Sequence, residues 1–211
     1  MVSWSAAGGV VVIALGMVLT PGPNMVYLAS RSIAQGRRAG LVSLMGVAAG
    51  FLVYLITASS GLSAVFAAVP AAFDVVKVVG ACYLLYLAWR MLRLGGGSPF
   101  SPRELTPHSG KRLFFTGLTT NLLNPKIVLM YSALLPQFVT AGAGPVWQQF
   151  LQLGALQIAV AVTANGAIVL GAAGLSTWLQ ARPRAMRVQR VAAGSVLAVF
   201  AVKMVATSAP R

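Results

Sequence analysis

The chain has 211 residues, of which 58% are hydrophobic and only 9% charged, and its mean hydropathy is +0.82. Soluble domains carry about 25% charged residues, so the composition excludes an ordinary soluble protein and leaves no room for a separate soluble domain. The net charge of +14 does not indicate nucleic-acid binding, because the basic residues lie in short loops between apolar stretches, as membrane orientation requires.

Apolar stretches of about 20 residues predict an all-α integral membrane protein, since a helix of that length crosses the hydrocarbon core. The six predicted transmembrane helices cover residues 4–28, 41–61, 70–92, 113–136, 147–176 and 188–207. No basic residue precedes the first apolar stretch, so we interpret it as a retained span rather than a cleaved signal peptide.

The loop charges predict how the chain is oriented in the membrane. Twelve basic residues lie in the loops after the first, third and fifth spans, namely Arg31, Arg37, Arg38, Arg90, Arg93, Arg103, Lys111, Arg112, Arg182, Arg184, Arg187 and Arg190. The N-terminus and the other two loops have none, and the C-terminal tail has only Arg211. Because cytoplasmic loops are rich in Lys and Arg, we expect these three loops in the cytoplasm and both termini outside.

Three spans in each half imply that the second half enters the membrane upside down relative to the first. We predict one membrane domain with a first three-helix repeat at 1–94, a cytoplasmic linker at 95–110 rich in Gly and Pro, and a second repeat at 111–211. A faint similarity between residues 23–26 (PNMV) and 125–128 (PKIV) favours two inverted repeats, a common plan among secondary transporters.

Prolines interrupt the first and fourth predicted helices at corresponding places in the two halves. The first break reads Thr20-Pro21-Gly22-Pro23-Asn24, and the second reads Asn121-Leu122-Leu123-Asn124-Pro125-Lys126. At a rise of ~1.5 Å per residue both fall near the middle of a ~30 Å hydrocarbon core. A proline frees backbone groups that lipid cannot satisfy. A lone proline is more often a simple kink, but two matched breaks beside Asn and Lys favour a transporter binding site.

A broken helix presents a positive N-terminal end and a negative C-terminal end, which together suit an amino acid zwitterion. We expect the substrate carboxylate to cap the amides after Pro23 or Pro125. Its ammonium group would then meet freed carbonyls near Thr20 or Leu122. The predicted substrate-binding residues are Thr20, Pro21, Gly22, Pro23, Asn24, Asn121, Asn124, Pro125 and Lys126.

Other polar residues within the spans leave alternatives open. Asp74 begins the third span with Lys77 one turn later, and the pair is either a structural ion pair at a helix N-terminus or a coupling site at the outer mouth. Gln157 and Asn165 in the fifth span either line a cavity or bond between helices. The Gly46–Gly50 spacing is typical of tight packing within a bundle or of dimerisation, so a homodimer also stays open.

Several pieces of the chain resemble one known family in order, spacing and overall length. They are Pro21-Gly22-Pro23-Asn24, Lys77 with Gly80-Ala81-Cys82-Tyr83-Leu84, Phe115-Thr116-Gly117 through Asn121-Leu122-Leu123-Asn124-Pro125-Lys126, and Leu135-Pro136-Gln137-Phe138. This pattern resembles the LysE/RhtB group of amino acid exporters over nearly the whole chain. Asn24 stands where members often carry Asp, which removes a carboxylate from the site. The resemblance implies efflux driven by the proton gradient across the bacterial inner membrane.

We therefore predict a secondary transporter that exports amino acids by alternating access, with the lipid bilayer, the amino acid and protons as its partners. Lys126 lies near the midplane without a carboxylate beside it, so a cationic side chain would find no partner there. This favours a neutral substrate such as threonine, homoserine or leucine.

The alternative is an exporter of another small solute, either a metal cation or an organic compound. A single cysteine, Cys82, and a single histidine, His108, disfavour metal export, and we expect no metal site and no cofactor. A membrane-embedded enzyme would need paired His, Asp or Ser groups at membrane depth, and the sequence has none. We therefore predict that the protein is not an enzyme.

Overall fold

The computed structural model describes residues 2–20, 22–62 and 105–180, together with single positions within 78–89 and 182–202. These residues contain no strand, which confirms the all-helical prediction for this part of the chain. Its α-helices are α1 (Trp4–Leu19), α2 (Pro23–Gln35), α3 (Arg37–Thr57), α4 (Gly110–Leu122), α5 (Pro125–Leu129) and α6 (Val146–Gln180). Single turns of π-helix follow α3 (Ala58–Leu62) and α5 (Met130–Leu134), and a 3-10 turn covers Leu135–Phe138.

Two of the described helices are long and apolar enough to cross a membrane. They cover Arg37–Gly61 and Val146–Gly174, with mean hydropathies of 2.2 and 1.9. The pair α1 and α2 forms a third candidate if its two helices, bent by 56°, are one span. The spans predicted at 70–92 and 188–207 lie largely outside the described residues. Six spans, an inverted repeat and the domain boundaries therefore stay predictions.

A single residue joins α2 to α3, where the sequence predicted a loop from 29 to 40. Gly36 has φ of 86° and ψ of 170°, a conformation that is essentially confined to glycine. Arg31 consequently lies inside α2 and is buried. The predicted loop is wrong because basic residues mark the edge of the hydrocarbon layer, whereas a helix can continue beyond that edge.

Glycines allow α3 and α4 to form the most extensive helix pair in the described bundle. A Cβ atom added at Gly46 would lie 1.9 Å from the carbonyl oxygen of Phe114. A Cβ atom at Gly117 would lie 2.3 Å from the carbonyl oxygen of Ser43. The two backbones are therefore in direct contact, as small residues permit in membrane helices.

The two ends of the described bundle differ in charge. At one end Arg31 bonds the segment just before α4, and the basic residues near this end include Arg31, Arg37, Arg38, Lys111 and Arg112. At the other end the amide of Val2 donates to the side chain of Gln152. Segments 2–5 and 139–148, which lie at this second end, carry no charged side chain.

Candidate functional site

A small cavity lies where α1, α2, α3, α5 and α6 meet. Its volume is about 30 Å³, which is room for roughly one or two water molecules rather than for a free amino acid. Its polar lining consists of Thr20, Asn24, Asn124, Lys126, Gln157 and Asn165, together with the backbone of Gly22. Most of these residues come from the two proline-containing segments, so the fold brings the segments together.

Lys126 occupies the polar side of this cavity. Its side chain is only 4% exposed, and its ammonium group donates to the main-chain carbonyl of Thr20 at 2.9 Å and to that of Met17. Both carbonyls belong to the C-terminal end of α1, where the last carbonyls of a helix have no partner within the helix. The positive charge on α5 therefore meets the negative end of α1, an arrangement that the helix dipole favours.

The N-terminal end of α2 faces the same cavity. Gly22 is its N-cap residue and provides no side-chain cap. A Cβ atom added at Gly22 would lie only 3.3 Å from Nζ of Lys126. Asn24 is 7% exposed, and its Oδ1 atom has no hydrogen-bond partner among the described residues. An uncapped helix end, an ammonium group and an unpaired amide oxygen thus converge, and such a combination can bind an anion and a donor group together.

In the second proline-containing segment, backbone polar groups form hydrogen bonds with side chains of the protein itself. Oδ1 of Asn124 accepts from the amide of Lys126 at 3.1 Å and so caps α5. The hydroxyl of Tyr54 donates to the carbonyl of Leu122 at 2.6 Å. An amide of α5 and the carbonyl of Leu122, which the sequence predicted as ligand groups, therefore have protein partners. The N-terminal end of α2, in contrast, has no side-chain cap.

The remaining predicted site residues are placed differently. Asn121 is fully buried between α3 and α4, where a Cβ atom at Gly50 would lie 2.6 Å from its Oδ1 atom. It is not among the residues that line the cavity. Pro23 and Pro125 begin α2 and α5 and also do not line it. The residues that lie outside the described ones are Pro21, Asp74 and Lys77.

For Gln157 both open interpretations hold in the structure, whereas Asn165 lines the cavity but bonds only within its own helix, α6. Gln157 and Asn165 line the cavity, and each also has a hydrogen bond. The hydroxyl of Tyr131 donates to Gln157 at 2.8 Å, and Asn165 donates to the carbonyl of Ala161 at 2.8 Å. The sequence did not reveal the apolar lining, which includes Met17, Phe51, Ile127 and Met130. Apolar residues of a span carry no signal that separates a cavity wall from a lipid-facing surface.

The chain matches one protein-family model and is similar to individual proteins that have names. The family model described as LysE type translocator matches residues 15–208. The chain is similar to the homoserine/homoserine lactone efflux protein of Salmonella typhimurium strain LT2, with 29% identity over 178 residues, 84% of this chain and 85% of the relative. It is also similar to the leucine efflux protein of Klebsiella pneumoniae, with 25% identity over 191 residues and 90% of each chain. No solved structure matches it.

Proposed function

The chain belongs to the LysE type translocator family, and from this membership we propose that it exports neutral amino acids across a bacterial inner membrane. It is a membrane transport protein rather than an enzyme, as its family is. Two relatives are named for efflux of homoserine and its lactone, or of leucine. None of these three compounds has a cationic side chain.

The observation that carries the proposal is the buried ammonium group of Lys126 beside the uncapped end of α2. A substrate carboxylate placed there would meet the amino group of Lys126 and the first amides of a helix. Oδ1 of Asn24 would accept a hydrogen bond from a donor group of the substrate. A second cation on the substrate side chain would be unfavourable, because the chain has only two acidic residues, Asp74 and Glu104, and neither belongs to the described cavity lining.

Transport requires the helices around the cavity to move apart, because about 30 Å³ cannot hold an amino acid. We propose alternating access, in which the cavity opens first to the cytoplasm and then to the outside. Protons are the proposed coupling ion, and Asp74 is the carboxylate to test for that role. An Asp74→Asn protein whose export keeps its full dependence on the pH gradient would exclude Asp74 from coupling.

The function is tested with proteoliposomes preloaded with leucine, homoserine, threonine, lysine and arginine. After a pH gradient is imposed, we expect the neutral amino acids to leave and the cationic ones to remain. Lys126→Met should slow this efflux by about tenfold or more, because a hydrogen-bonded charge is worth about 1.5–3 kcal/mol.

Lys111→Met is the matched control, because it removes the same charge from an exposed position at the start of α4; its efflux should equal that of the wild type. Faster efflux of lysine or arginine than of the neutral amino acids would overturn the proposed substrate class. Retention of every amino acid by well-folded protein would overturn the proposed function.

A further inference from the structure

The carbonyl oxygens of Met17 and Thr20 hold a primary ammonium group in this structure, and that group belongs to the protein. Resting on the proposed function, we propose that the two carbonyls form the binding subsite for the substrate's own ammonium group. Lys126 occupies this subsite in the structure. A substrate that carries an ammonium group must displace Lys126 from it, and Lys126 then pairs with the substrate carboxylate.

The subsite follows from the way α1 ends. Thr20 is only 1% exposed, so a carbonyl here has little access to water, and a buried carbonyl without a donor is unfavourable by about 1–3 kcal/mol. The negative end of the helix also favours a cation. While the cavity is closed, the carbonyls therefore favour a cationic donor, either Lys126 or a ligand.

Lys126 and a substrate ammonium group cannot share this subsite. Two like charges within a few ångströms repel strongly where water is scarce. The cavity beside Lys126 is also too small for an additional group larger than water. The two ammonium groups must therefore alternate.

The displaced lysine has a new partner within reach. Its Nζ atom lies beside Gly22 at the uncapped end of α2, where the substrate carboxylate is proposed to bind. A zwitterion thus supplies both halves of the exchange, since its ammonium group satisfies the carbonyls and its carboxylate satisfies Lys126. An amine without a carboxylate would leave Lys126 without an anionic partner, so such an amine should bind more weakly than the corresponding amino acid.

The exchange is tested with leucinamide, which has the ammonium group of leucine but no carboxylate. Its affinity is measured by titration calorimetry on full-length protein in lipid nanodiscs. We expect leucinamide to bind Lys126→Met about tenfold more tightly than wild type, because no lysine has to be displaced. Leucine itself should bind the variant more weakly, because its carboxylate has lost its partner.

Lys111→Met is again the matched control and should bind leucinamide as the wild type does. If Lys126 is instead a fixed structural contact or only a carboxylate ligand, leucinamide should bind Lys126→Met no more tightly than it binds wild type. That result would overturn the inference.

A second variant keeps every charge and makes the test independent of whether Lys126→Met folds. An added Cβ atom at Gly22 would lie 3.1 Å from Cδ and 3.3 Å from Nζ of Lys126, so Gly22→Ala crowds the lysine in its subsite. The backbone of Gly22 is extended, with φ of −159°, so alanine can adopt it. We expect leucinamide to bind Gly22→Ala several-fold more tightly than wild type, and equal or weaker binding contradicts the inference.

Wild-type efflux separates the two proposals. If the wild type exports leucine but leucinamide binds no variant more tightly, the inference fails and the proposed function stands. If the wild type exports no amino acid, the proposed function fails and the inference falls with it.

Discussion

Side chains from distant parts of the chain satisfy the backbone groups at the ends of α1 and α4. Lys126 reaches the carbonyl of Thr20 across 106 positions of sequence, and Tyr54 reaches that of Leu122 across 68. Such partners are required because lipid offers no donor for a carbonyl at the end of a helix. The stability of both helix ends therefore depends on single polar atoms.

Tyr54→Phe should lower the free energy of unfolding by about 1–3 kcal/mol, because it leaves the carbonyl of Leu122 without a donor. The aromatic ring is retained, and with it the stacking on Tyr131 at 5.5 Å. Thermal unfolding in detergent measures the change. The control is Thr119→Val, which removes an exposed hydroxyl that bonds only within α4. Equal unfolding temperatures for the two variants would contradict the role of Tyr54.

The only histidine of the chain joins α2 to the segment before α4. Arg31 donates to the carbonyl of Thr106 at 3.0 Å and lies 3.2 Å from Nε2 of His108, which must accept because a guanidinium group only donates. The pKa of His108 is lowered by its partial burial and then by the charges of Arg31 and Arg112. The contact thus requires neutral histidine.

Acidification should weaken this contact. The folded protein holds the pKa of His108 below its value in the unfolded chain, so as the pH falls the unfolded chain binds the proton first. The contribution of this contact to the stability of the folded protein is complete above about pH 6.5. It is lost as the pH falls through the lowered pKa of His108. We expect a lower unfolding temperature at pH 5.5 than at pH 7.5, with a smaller difference in His108→Gln. An identical difference in both proteins would exclude His108 as the cause.

At the contact between α3 and α4, the helix backbones leave no room for an added side-chain atom. Gly46→Ala would place a Cβ atom 1.9 Å from the backbone oxygen of Phe114, and a backbone atom cannot turn away as a side chain can. Overpacking typically lowers the free energy of unfolding by about 1–3 kcal/mol. For Gly46→Ala we expect a decrease at the upper end of this range, measured by thermal unfolding. Gly8→Ala in α1 is the control, because nothing lies within 4 Å of its added Cβ atom. A comparable loss in both variants would contradict a steric cause.

The sequence predicts where helices begin better than where they end. Pro23 and Pro125 each begin a helix, and the fixed φ of proline suits the first helical position. The continuation of α2 through Arg31 to Gln35 was not predicted, because hydropathy reports the membrane boundary rather than the end of the hydrogen-bonded helix. The helix α2 ends at Gly36, which has a positive φ. The sequence alone does not show which of its glycines adopts such a backbone angle.

At the site, the sequence indicates which polar residues take part but not the groups with which they form hydrogen bonds. Lys126 and Asn24 are recognisable because polar groups are rare in apolar stretches. The partners of Lys126 are backbone carbonyls, which every residue has, so no residue type could reveal them. Tyr54 was missed for a related reason, since a tyrosine within a span is equally consistent with packing against apolar neighbours.

For the whole molecule, charge should decide the orientation in the membrane. The described bundle has Arg31, Arg37, Arg38, Lys111 and Arg112 towards one end, whereas segments 2–5 and 139–148 near the other end have no charged side chain. Cytoplasmic segments are enriched in Lys and Arg because positively charged segments are translocated poorly. The end that contains the start of α4 should therefore face the cytoplasm, and the start of α1 should face outward.

Two serines provide a matched test of this orientation. Ser3 caps α1 and Ser109 caps α4 through the same kind of side-chain bond, and both are exposed, so replacing either costs a similar ~1 kcal/mol. Each is changed to cysteine in a Cys82→Ala background, which removes the only native cysteine. We expect a membrane-impermeant maleimide to label Ser3→Cys in intact spheroplasts and Ser109→Cys only after lysis. The reverse pattern would overturn the predicted orientation, and labelling of both before lysis would indicate insertion in both directions.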